Sequence, residues 1–131
     1  DWSSDVCSSD LFKAIFNRGF EDEILECISN ANNLYEFESK EGTRIKIRKL
    51  SDESLAFQRI AKGLDVKGIL KLNSLTKMSA SVSELNAKVE YNVFMTRMFF
   101  DFPNEVSFVY QIVHDGKEVD EPTEIIITEK E

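Results

Sequence analysis

Histidine occurs once in these 131 residues, proline and cysteine twice each and glycine five times, and each scarcity removes a class of protein. A single histidine, His114, excludes HExxH and any two-histidine metal site built from this chain alone. No GxGxxG, GxxxxGK[ST] or GxSxG is present, so the backbone turns that cradle phosphates or present a nucleophilic serine are missing. No CxxC pair occurs, and the acidic pair Asp120 and Glu121 lacks the alternating ligands and central glycine of a calcium loop. No metal site, cofactor or catalytic residue is therefore expected. Little glycine and proline, with 42% apolar and 31% charged residues, disfavours disorder and collagen, and no apolar run is long enough for a spanning helix. What remains is a folded chain of about one domain whose sequence names no chemistry.

The first eleven residues, DWSSDVCSSDL, crowd five Ser or Cys between three Asp, unlike the Phe-rich chain that begins at Phe12. The string resembles a translated sequencing-library adapter and is set aside as non-native, the structural alternative being a polar tail with a helix cap at Ser9 and Asp10. On that reading Phe12 to Glu131 is the C-terminal piece of a longer protein. It forms a single α+β domain, or else residues 12–64 end an upstream domain and 65–131 form a β-module. The remaining 120 residues carry a formal charge of −5 and one cysteine, Cys27, with no N-x-Ser/Thr sequon. An internal disulfide is then not expected, and a reducing, cytoplasmic compartment is the default.

Charge is unevenly distributed. Asp115 to Glu131 has a net −5, whereas Lys40 to Lys77 holds ten bases against four acids. Within that basic block, strand alternation in Arg44-Ile45-Lys46-Ile47-Arg48 sends the isoleucines to one face and the bases to the other. A row of this kind can neutralise phosphates or other anions. Its structural alternative is a solvated face whose bases protect an edge strand.

Phe12, Ile15, Phe16, Phe20, Ile24, Cys27, Ile28 and Ala31 recur at spacings of three and four, which predicts a helix from about residue 11 to 31, interrupted by Gly19. Cys27 on that stripe reads as a small buried hydrophobe. Leu34 to Glu38 and Thr43 to Leu50 predict a hairpin about Gly42. Ser51 as N-cap, then Leu55, Phe57, Ile60, Ala61 and Leu64 with Gly63 as a stop, predict a second helix. From Val66 the rhythm becomes two, and Asp115-Gly116 is the strongest hairpin signal. The predicted fold is α+β: two N-terminal helices and a hairpin, then an antiparallel β-meander or small β-sandwich. The segment Val106 to Val119, with SFVYQIVHDGKEV within it, resembles the penultimate hairpin of immunoglobulin-like accessory modules, but without their Cys, Trp and second Cys, so no binding residue carries over.

Met95, Met98, Phe99, Phe100 and Phe102 are the densest apolar cluster, more than one strand face can bury. They read either as core of a strand covered on both faces or as an exposed patch for a partner. The leading expectation is a non-catalytic C-terminal interaction module that docks on a partner protein, or on an upstream part of its own chain, through this cluster. One rival is an anion or nucleic-acid binder using Arg44, Lys46, Arg48, Lys67 and Lys71. Another is a fragment of an enzyme whose catalytic residues lie upstream.

Overall fold

The computed structural model describes residues 11–16 and 23–129. These form strands β1 (Leu11–Phe16), β2 (Glu23–Ala31), β3 (Leu34–Ser39), β4 (Arg44–Ser51) and β5 (Ser54–Ala61). They continue as β6 (Leu64–Lys71), β7 (Leu75–Val82), β8 (Ala87–Asp101), β9 (Glu105–His114) and β10 (Lys117–Glu129). Each strand pairs antiparallel with the next, and β1 pairs with β10 from Phe12↔Glu129 to Phe16↔Ile125, so the sheet closes into an up-and-down barrel. Over the described residues the protein is all-β, which corrects the α+β expectation and both predicted helices. The hairpin resembling an immunoglobulin-like module belongs to this barrel and not to a sandwich.

The reason for each helix error lies in particular side chains. In residues 11–31, Phe12, Ala14, Leu25 and Cys27 point inward with strand periodicity. Ile24 and Ile28 are exposed on the outer face, and their spacing of four supplied the helical rhythm. Residues 17–22, including Gly19 and Phe20, lie outside those described. In residues 51–63, Leu55 and Phe57 point inward, and so does Arg59, whose guanidinium pairs with Glu23 of β2 at 2.9 Å. A charged residue on the inner face hides strand alternation from a hydropathy pattern. Ser51 does accept a backbone hydrogen bond, from Glu53 N at 3.2 Å, but in the β4–β5 turn and not at a helix start.

Three two-residue turns share one chemistry. Asn32-Asn33, Lys62-Gly63 and Asp115-Gly116 all have positive φ at both residues (56° and 63°, 51° and 81°, 53° and 76°). This is the geometry whose twist matches that of the flanking strands, and it favours Asn, Asp and Gly because they tolerate the left-handed region. The glycine read as a helix stop, Gly63, is thus the second residue of a hairpin turn.

Inside, the apolar face of every strand converges on one core. Phe57 of β5 meets Phe108 of β9 edge-on at 5.3 Å, so side chains fill the barrel across its width. At one end Phe12, Tyr35, Phe37, Phe100 and Phe102 form an aromatic cluster, with Phe12 stacked on Phe102 at 5.5 Å and Tyr35 4.5 Å from Phe102. Cys27 is buried as expected, but it is disulfide-bonded and not the free thiol that the sequence suggests.

Candidate binding surface

Ile45 and Ile47 are fully buried, which holds Arg44, Lys46 and Arg48 on the outer face of β4. β4 lies between β3 and β5 in a closed sheet, so its bases are not guarding an edge. Their neighbours differ. Register places Glu38 opposite Arg44 and Glu36 opposite Lys46 on β3, and both pairs form ion pairs, at 2.7 Å and 3.4 Å. The hydrogen bond to Glu38 raises the pKa of the Arg44 guanidinium. Arg48 faces Leu34 on one side and Ala56 on the other. Its guanidinium donates to the Asn32 carbonyl, at 3.5 Å.

On β6, Lys67 lies opposite Gln58 of β5 and Ser79 of β7, and Lys71 lies opposite Ser54. The Gln58 amide donates to Asp65 Oδ1 at 3.0 Å, which holds that carboxylate beside Gln58. Among the described residues no carboxylate pairs with Arg48, Lys67 or Lys71. Lys46, Arg48 and Lys67 line one shallow groove of about 330 Å³, with Leu34, Ala56 and Ile69 as its aliphatic lining. Of the five bases singled out from sequence, the fold thus gathers three in one groove. Arg44 is tied to Glu38, and Lys71 stands on the same face of β6 beyond Ile69.

Leu34, Ala56 and Ile69 were missed. The signal that finds them is register: Leu34↔Arg48, Arg48↔Ala56 and Ala56↔Ile69 form one outer row across four strands, visible only once residues 54–61 are recognised as a strand. Gly68 also lines the groove, and the space its side chain would take is filled by Lys77 and Met78 of β7.

The Met95 to Phe102 cluster has another fate. A register shift between Met95 and Arg97 against β9 leaves Thr96 out of the pairing, so Met95 and Met98 both turn toward the interior. Met95 is fully buried, and Met98, Phe100 and Phe102 pack against the core. Only Phe99 is exposed, at 47%. Of the five, Met95 is wholly interior, Met98, Phe100 and Phe102 are half-buried and Phe99 faces outward.

Elsewhere the chemistry is sparse. His114 stands exposed at the β9–β10 turn beside Asp115, and no group of three or more potential metal ligands occurs among the described residues. No helix among them is long and apolar enough to cross a membrane. Among the described residues Arg59 pairs with Glu23 on the inner face, and Ser39, Thr43, Ser107, Gln111 and Tyr110 are buried polar side chains. Burial pushes the Tyr110 hydroxyl up to about 12, with a further push from Tyr91, while a hydrogen bond from Thr123 and the charge of Arg59 pull it down. The unfolded chain, with an ordinary phenol, loses this proton first. The stability contribution is therefore complete below pH about 10 and is lost as pH rises from about 10 to about 12, by roughly 2–3 kcal/mol. Urea unfolding across that range, compared with Tyr110→Phe, should isolate this loss: the variant's curve should fall less steeply.

Searches of protein-family models, of the curated proteins and of solved structures each find no match to this chain.

Proposed function

We propose that the chain is a non-catalytic binding module that holds an anionic partner on the outer face of β4, β5 and β6. The observation that supports this reading is the convergence of Lys46, Arg48 and Lys67, from two strands not adjacent to each other, on one groove where neither Arg48 nor Lys67 has a carboxylate partner. The chain's formal charge of −8 makes this more telling, since a cationic groove on an acidic protein is a local feature and not a consequence of overall composition. Docking through Met95 to Phe102 has less support, because four of those side chains are occupied with the core.

The test is retention on an immobilised phosphate polymer as salt is raised. The protein is expected to bind at low salt, with log affinity falling linearly against log salt. Arg48→Glu and Lys67→Glu should each reduce the slope by about one, while Lys13→Glu on β1, at a distance around the barrel, leaves it unchanged. Failure to bind at low salt, or equal loss with Lys13→Glu, overturns the reading.

A further inference from the structure

Resting on that reading, we infer that the anionic partner is a protein segment, an extended acidic peptide with an apolar side chain two residues from a carboxylate. The groove has two kinds of lining in adjacent rows. Leu34, Ala56 and Ile69 supply an aliphatic row, which Arg48 shares, and Lys46, Gln58 and Lys67 supply the row beside it. Ile69 is 53% exposed, a branched aliphatic side chain left largely in water amid cations. A partner that is purely anionic neutralises the bases but leaves that apolar surface wet. One that carries both features covers it.

Nucleic acid fits less well. Single strands are held on positively charged grooves by stacking bases on aromatic rings. The one aromatic residue among the groove's lining, Phe57, faces into the barrel with 3% exposure, and the outward apolar lining is aliphatic. The closed barrel also fixes how a peptide must bind. The β4–β5 and β5–β6 ladders under the groove are continuous, so main-chain pairing is unavailable there and recognition falls to side chains. The two rows are two residues apart along each strand, about 7 Å, which is also the separation of side chains i and i+2 on one face of an extended peptide. A peptide laid parallel to β5 therefore seats an apolar residue over Ala56 and Ile69 while the carboxylate two positions on meets Lys67 and competes with Glu36 for Lys46.

The experiment uses the full chain and two labelled peptides of identical composition, followed by fluorescence anisotropy. In repeats of Leu-Ser-Asp-Ser, Leu and Asp share one face of an extended chain. In repeats of Leu-Asp-Ser-Ser they occupy opposite faces. The first is expected to bind about tenfold more tightly than the second, and Ile69→Ser to remove about that factor, while leaving the affinity for a single-stranded oligonucleotide unchanged. Ile69 is exposed, so a coincident unfolding curve checks that the variant stays folded. Equal binding of the two peptides, or an oligonucleotide that binds more tightly than either, overturns the peptide assignment while the anion reading stands. No binding of any anionic probe at low salt overturns both.

Discussion

Met95→Asp should leave the protein largely unfolded at room temperature, while Phe99→Asp, four residues along the same strand, should shift stability by less than about 1 kcal/mol. Met95 is fully buried among core side chains and lies opposite Tyr110 on β9. A carboxylate there is either desolvated without a partner or kept neutral at a raised pKa, and both routes cost several kcal/mol. Such a cost of about 4–5 kcal/mol is comparable to the whole stability of a domain this size. Phe99 is 47% exposed on the outer face opposite Ser107, where a charge remains hydrated. Far-ultraviolet circular dichroism during urea unfolding separates the two. Equal destabilisation would mean that Met95 and Phe99 do not face opposite sides of β8. A folded Met95→Asp protein would contradict the burial on which the surface reading depends.

Gly68→Ala is expected to lower stability by about 3 kcal/mol, seen as a fall of roughly 10 °C in Tm. A methyl group at this position meets the Lys77 carbonyl oxygen at 2.6 Å, Met78 Cγ at 2.6 Å and Met78 Cα at 2.9 Å. Two of the three are backbone atoms held in the β6–β7 ladder, where Gly68 pairs with Met78, so relief requires the strands to part. A useful contrast is Gly42→Ala in the β3–β4 turn. Nothing lies within 4 Å of its added methyl, and only its φ of 93° opposes the change. The expected cost there is about 1–2 kcal/mol. Similar losses at both glycines would show that the close approach of β6 and β7 is not what the glycine serves.

The parts of the fold legible from sequence were those where inward and outward residues differ in polarity. In Arg44 to Arg48, Ile alternates with bases, and the strand, its orientation and its cationic face all follow. Asp115-Gly116 marks a turn by its tolerance of positive φ. The second and fifth strands hid because the alternation fails there for opposite reasons: exposed Ile24 and Ile28 put apolar residues outside, and Arg59 puts a charge inside. The ion pair to Glu23, from a strand that is not a neighbour of β5, is what makes an inward Arg59 tolerable, and no local pattern announces it. The candidate groove was half legible for the same reason. Its bases were visible in the charge pattern, whereas its aliphatic residues come from three strands and needed the register.

The seam between β1 and β10 also sets the order in which the molecule can mature. Nine of the ten neighbour pairings are made between strands adjacent in sequence and can form as the polypeptide emerges, but the tenth joins residues separated by nearly the whole chain. Until the last strand arrives, β1 and β9 each present a row of unsatisfied amides, which invites association between nascent molecules. Ring closure is therefore a late event dominated by the entropy of the longest loop, and maturation is slow for a protein of this size.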